Sequence, residues 1–337
     1  MRVNLIFVFL FCFLPGSVLL QAQVEDDYEK SFDRLKSAYS GKQKFFDVLS
    51  ANEWFALRSL LKSNESADEL RAFLAGLPEF DPVWITIRSY TAPKRQQIAT
   101  VANQANARSS LSTQALEKQK QWYTSNRSDL LHIERVTSVN AEILASIYYA
   151  ETKLSSYRLP HVLYQVLFTQ ILFLKNGILS NEPSQLERLE RLLRLARSSL
   201  ISLFRYARDH KVSADTLRSS WAGATGPMQL MPFNFHFLRD GNANGVVHAE
   251  EELDSLFGAA LFLAAKGWGE SEYQDFLQGK NRDHLVRILL KYNASSPYAH
   301  GVLDAANSLR QMVLESENKV LKEVNPQIAP DWLNTSP

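Results

Sequence analysis

Apolar residues recur at three- to four-residue spacing along nearly the whole chain, and alternating runs are scarce. A repeat near 3.6 places such residues on one face of a helix, so the pattern predicts an all-α fold. Glu25 to Leu77 reads as amphipathic helices broken near Ser63-Asn64-Glu65-Ser66, which is good helix-capping chemistry. Pro78 to Trp84 is an extended connector. Pro93-Lys94-Arg95 opens a polar helix running towards Tyr123, followed by helices over Ser125 to Arg135 and Val139 to Glu151. A further long helical stretch is interrupted at Asn181-Glu182-Pro183-Ser184. The alternating charges of Leu186 to Arg191 read as a solvated face with internal ion pairs. With 45% hydrophobic residues and only 13 glycines in 337 residues, the chain can bury a sizeable core.

Met1 to Ala22 holds one early charge (Arg2), an apolar run from Leu5 to Leu14, a Pro15-Gly16 break and small residues near a cut after Ala22. This is the pattern of a secretory signal peptide. The run is too short for a membrane span, which needs about 20 apolar residues. Cys12, the only cysteine, follows Phe9-Leu10-Phe11 rather than a small residue, which disfavours lipidation. The predicted product is exported to the periplasm or cell envelope, soluble and without disulfide chemistry. Removing Met1 to Ala22 leaves 36 basic and 36 acidic residues. With no basic stripe, nucleic-acid binding is not expected. The predicted division is a signal peptide (1–22), an N-terminal helical region (23–130), a catalytic domain (131–312) and a tail (313–337).

Three segments hold residues that helix packing alone does not call for. Ser220-Trp221-Ala222-Gly223-Ala224-Thr225-Gly226-Pro227-Met228-Gln229-Leu230-Met231-Pro232 combines two glycines three apart with a Met-Pro exit, which lets the backbone approach a ligand closely. Glu151 lies three, four and seven residues after Tyr148, Ile147 and Leu144, so it projects from an apolar helix face. Desolvation there raises a carboxyl pKa, as a general acid requires. By itself, such a glutamate reads more readily as a helix-end partner of Lys153 or Arg158. Isolated Ser220 and Gln229 read as capping or core hydrogen bonds, and Tyr292 as an aromatic closing a helix end.

The third segment, Asp240 to Glu251, fits an EF-hand loop. Oxygen ligands fall at Asp240, Asn242 and Asn244, Gly245 makes the turn, Val246 offers its carbonyl and Glu251 a bidentate carboxylate. With two carboxylates the affinity for Ca2+ would be modest, and Na+ is an alternative ion. A loop that binds nothing is the other reading. No zinc, phosphate-loop or dinucleotide pattern is present.

The segment from Ser220 to Pro232, the helix ending at Glu151, the loop from Asp240, and Tyr292-Asn293-Ala294-Ser295 with Tyr298 occur in the order found in the membrane-bound lytic murein transglycosylase B family. The chain resembles that family from about Leu77 to Met312. The resemblance implies a lysozyme-like helical core and cleavage of the β-1,4 bond between N-acetylmuramic acid and N-acetylglucosamine in peptidoglycan glycan strands. It makes Glu151 the single catalytic residue, acid and then base, with no cofactor needed for the chemistry and a 1,6-anhydro product. It further implies that Ser220 orients Glu151, and that Gln229 hydrogen-bonds an N-acetyl or hydroxyl group. Trp221 stacks on a sugar or packs in the core. Tyr292, beside Asn293, bonds near Glu151 or the glycosidic oxygen, and the loop ion is structural. Ala150, Leu154 and Ser155 depart from the family's Val, aromatic and Gly, which leaves open the turn behind the acid. A scaffold that binds peptidoglycan without turnover and a hydrolytic muramidase are the competing readings, and cell-wall assembly proteins are candidate partners.

Overall fold

Serine hydroxyls start three helices as their capping chemistry dictates. Ser50 Oγ accepts from the Glu53 N–H (3.2 Å), Ser66 Oγ from Asp68 (3.1 Å) and Glu69, and Ser112 Oγ from Ala115 (3.3 Å). The computed structural model describes residues 15–39, 41–92, 110–177 and 183–324. Helices α1 (Pro15–Ser37), α2 (Phe45–Val48), α3 (Ala51–Arg58), α4 (Ala67–Gly76) and α5 (Trp84–Thr91) precede α6 (Thr113–Ser125), α7 (Arg127–Thr137) and α8 (Ala141–Thr152). Strand β1 (His161–Val162), α9 (Leu163–Phe173), a 3-10 turn (Leu174–Gly177) and α10 (Pro183–His210) follow. The chain then runs through β2 (Arg218–Ser219), a 3-10 turn (Pro232–Phe237), α11 (Glu252–Ala265), α12 (Glu270–Gln278), α13 (Arg282–Tyr292) and α14 (Ser296–Val324).

The predicted break at Ser63 to Ser66 falls between α3 and α4, and the predicted helices at Ser125 and Val139 are α7 and α8, displaced by about two residues as helix ends commonly are. The helix start at Pro93, the interruption at Asn181-Glu182, the apolar run from Leu5 to Leu14 and the tail from Asn325 lie outside the described residues. The one sheet among the described residues is a short antiparallel pair, with His161 opposite Ser219 and Val162 opposite Arg218. It ties the entry of α9 to the entry of the Ser220–Pro232 loop.

Helix α8 is the axis of the molecule. Its residues Ala141 to Tyr148 are all buried, and α6, α7, α11 and α14 pack around it. The main core joins Ile143, Leu144 and Ile147 of α8 to Leu167 and Phe168 of α9, Leu200 and Phe204 of α10, and Leu256 and Leu263 of α11. Phe45, Leu57, Leu70 and Phe80 enter the same core, with Phe45 stacked on Phe168 at 3.7 Å between ring centres. A second cluster seats Tyr28 and Phe32 of α1 on Ile87, Leu174, Leu189 and Leu193. Tyr123 and Leu130 meet Leu309 and Val313 in a third. Packing therefore runs continuously across positions 130 and 312. Among the described residues no helix is long and apolar enough to cross a membrane.

Candidate active site

Glu151 stands in the last turn of α8, where the buried helix reaches the protein surface. The residue is only partly covered, but its carboxyl is packed round by protein, and this desolvation pushes its pKa up to about 7. The Tyr298 hydroxyl and the Lys153 ammonium act in the opposite, lowering direction and are outweighed. Tyr292 and Tyr298 face the same carboxyl, and burial together with the nearby carboxylate raises both phenols well above the usual tyrosine range. The Tyr298 hydroxyl is buried beside Glu151 and bears on its proton directly.

The loop after β2 is built by its glycines. Gly223 N–H bonds the Ser220 carbonyl (3.0 Å), Ser220 N–H the Ala224 carbonyl (2.9 Å), and Thr225 and Leu230 exchange two bonds of 2.9 and 3.0 Å. Gly226 has φ +73°, and a Cβ there would lie 2.0 Å from the Ala249 carbonyl oxygen, so only glycine fits. Two bonds lock this loop to the elements carrying the acid. Thr152, next to Glu151, donates to the Pro227 carbonyl (2.9 Å), and Tyr292 donates to the Met228 carbonyl.

The remaining sequence-predicted residues are placed as follows. The Ser220 hydroxyl, expected to orient Glu151, accepts the Ala224 N–H (3.2 Å) and so serves its own turn. Gln229 adopts φ +52°, and its side-chain amide donates to the Gly226 carbonyl (2.9 Å). Trp221 packs edge-on against Tyr90 at 5.1 Å and is partly exposed. Tyr292, expected near Glu151 or the glycosidic oxygen, stands beside Glu151 but spends its proton on Met228. Asn293 ends α13 in an extended conformation. Tyr298, given no role from sequence, faces the acid, and no local pattern marks a tyrosine as the neighbour of a carboxyl 147 positions away.

In the loop from Asp240 to Glu251, the expected ligand side chains converge. Asn242 Nδ2 donates to Glu251, Asn244 Nδ2 approaches Glu251 Oε2 (3.3 Å), and Asp240 accepts the N–H groups of Asn244 (3.1 Å) and Gly245 (2.7 Å). Val246 N–H bonds Asn244 Oδ1 (2.8 Å). Among the described residues no three His, Cys, Asp or Glu side chains are grouped as metal ligands, so a cation here depends on amide and carbonyl oxygens beside two carboxylates. The fully buried Asp254 braces the loop, accepting the Gly241 and His248 N–H groups at 2.7 Å each, a role the sequence reading missed.

Residues 52–279 match the family model described as Transglycosylase SLT domain. No curated protein matches the chain. The fold is similar to the Escherichia coli lytic transglycosylase Slt35 in complex with calcium (TM-score 0.56, 15% identity, 78% of this chain and 93% of that chain). It is also similar to a 36 kDa muramidase/transglycosylase (TM-score 0.53, 15% identity, 78% of this chain and 93% of that chain). The matched region holds Glu151, the Ser220–Pro232 loop and the Asp240–Glu251 loop, while Tyr292 and Tyr298 lie beyond it. The lysozyme-like helical expectation is met, and with more than half of its length matched, this chain belongs to the transglycosylase SLT domain family, the lytic murein transglycosylases.

Proposed function

We propose that the chain is an exported enzyme that cleaves peptidoglycan between N-acetylmuramic acid and N-acetylglucosamine, with Glu151 as its one acid and base. The observation that carries this reading is a carboxyl held near pKa 7 at the end of α8, inside the region matched by the transglycosylase family, with Tyr298 and Lys153 acting on its proton. A hydrolase of the two-carboxylate type places its second acid about 5–9.5 Å from the first to serve as nucleophile or to activate water. The reading takes Glu151 as acid and then base, with the nucleophile supplied by the substrate.

In the first step protonated Glu151 gives its proton to the glycosidic oxygen as the bond from C1 of the muramyl residue breaks. The neighbouring N-acetyl oxygen stabilises the cation developing at C1. The Glu151 carboxylate then takes the proton of the muramyl 6-hydroxyl while that oxygen bonds to C1, which closes the 1,6-anhydro ring and restores the acid. No water is consumed. In this reading Gln229, on the Ser220–Pro232 loop, hydrogen-bonds an N-acetyl or hydroxyl group of the substrate, and Trp221 of the same loop is a candidate sugar platform.

The Asp240–Glu251 loop fits a hard cation, since Asp240, Asn242, Asn244 and Glu251 already meet and every side chain among them carries oxygen. Asp240, Asn242, Asn244, Glu251 and the Val246 carbonyl would hold Ca2+ there, and the ion would offset the charge of the two carboxylates and steady the loop. The similarity to a calcium-bound transglycosylase supports that assignment.

The test is mass spectrometry of purified peptidoglycan digested with the wild-type protein and with Glu151→Gln. Products about 18 Da lighter than hydrolytic muropeptides, absent with the variant, are expected. Products of hydrolytic mass would make the protein a muramidase. Sedimentation with the wall without any soluble product would make it a binding scaffold.

A further inference from the structure

Directly after the acid helix, the backbone takes three consecutive left-handed residues, Lys153, Leu154 and Ser155 (φ +53°, +57° and +59°). This conformation costs a non-glycine residue roughly 1–2 kcal/mol, so such a turn persists only where its surroundings hold it. A glycine would take it freely, and glycine is what the family pattern carries at the position of Ser155.

Two bonds hold Ser155 instead. Its N–H donates to Thr152 Oγ1 (3.2 Å), the hydroxyl that also grips the Pro227 carbonyl. Its Oγ lies 2.7 Å from the Tyr148 hydroxyl. Tyr148 is fully buried one turn before Glu151, and its hydroxyl also lies 2.6 Å from Glu252 Oε2. A phenol has one proton, and a carboxylate can only accept. Tyr148 therefore donates to Glu252 and accepts from Ser155. The other Glu252 oxygen accepts the Trp122 indole N–H (3.0 Å), and the Trp122 ring meets Tyr148 edge-on at 5.0 Å. Trp122 comes from α6, Tyr148 from α8 and Glu252 from the first residue of α11, so three helices meet in the chain of bonds that reaches Ser155 through Tyr148.

We propose that Glu252, acting through Tyr148 and Ser155, is a positioning residue for Glu151, because this chain of bonds holds the left-handed turn that sets the end of α8. The reading rests on Glu151 being the acid. It accounts for how the chain keeps its acid in place without the glycine of the family pattern.

The experiment compares Tyr148→Phe, Glu252→Leu and Glu252→Gln, with Tyr148→Phe also made in the Ser155→Gly background. Each is read by peptidoglycan turnover and by titration of the Glu151 carboxyl in 13C-glutamate NMR of the full chain, with the Glu151→Gln spectrum as assignment. Lys153, Tyr292 and Tyr298, the other titratable groups facing Glu151, are unchanged in every variant. Tyr148→Phe and Glu252→Leu should lower kcat by about tenfold with KM held within about twofold, and should shift the Glu151 titration by about half a unit or more. Glu252→Gln, which keeps an oxygen for Trp122 and an N–H for Tyr148, should retain most of kcat. In the Ser155→Gly background Tyr148→Phe should bring no further loss. The proposal is overturned if kcat and the Glu151 titration stay at wild-type values in Tyr148→Phe, or if the loss is equal in the Ser155→Gly background. A wild-type protein without turnover would refute the transglycosylase reading, and the NMR titration would still decide the positioning role.

Discussion

At Glu151 burial works against the carboxylate, and the sign of the consequence is defined. Its folded pKa of about 7 lies above the ordinary glutamate value of 4.5, so between those limits the folded chain keeps a proton that the unfolded chain has released. Stability is lost as pH rises through that window. Glu151→Gln, with no proton to lose, should exceed wild type by about 2–3 kcal/mol above pH 7 and match it below about pH 4. Denaturant melts at pH 4 and pH 8 measure this, and equal stability at both would mean that the carboxyl titrates normally. The same proton is the catalytic one. Wild-type kcat/KM should therefore fall above pH 7, by about tenfold per unit, as the donor form is depleted.

At the scale of elements, the site depends on connections between segments distant in sequence. The Ser220–Pro232 loop is held by Thr152 from α8, Tyr292 from α13 and Ala249 packed on Gly226. On the opposite side of the fold, Glu65 fastens the turn before α4 to α10, through two Arg205 bonds of 2.7 Å. Hydrogen bonding by Arg205 lowers the Glu65 pKa to about 2, with burial opposing and the Lys62 N–H and Arg208 assisting. Here the pKa is depressed, so the stabilisation is complete above about 4.5 and disappears as pH falls towards 2. The Glu65 side chain is 2% exposed but that of Arg205 is 25% exposed, and solvent screening reduces the pair's worth. Glu65→Gln should cost about 1–2 kcal/mol at pH 7 and nothing near pH 2, as read by urea melts at the two pH values.

For the whole molecule, the Asp240–Glu251 loop connects the surface to the centre. It passes from the 3-10 turn packed on α10 to α11 beside α8, and Asp254 and Tyr206 clamp its backbone from the buried side. A cation that binds only the folded loop must raise overall stability. With an affinity in the millimolar range, 10 mM Ca2+ should raise Tm by about 1–3 °C in wild type and leave Glu251→Gln unmoved. Scanning calorimetry with and without chelator checks this. An equal rise in both proteins would place the ion elsewhere.

The sequence by itself determined the helices and the residue types of the chemistry. Periodicity defined α8, the capping cluster at Ser63 to Ser66 marked the break before α4, and glycine spacing marked the loop, because each is a local property of a few neighbouring residues. It also put Glu151 on an apolar face, which is enough to predict a raised pKa. What only the tertiary structure decided is which polar groups meet. Ser220 turned out to close its own turn, Tyr292 to bond Met228 and Tyr298 to face the acid, and Tyr148 to meet Glu252, 104 positions away, and Ser155. Hydrogen bonds form between whichever donors and acceptors packing buries together, and packing across such separations leaves no periodic trace in the chain.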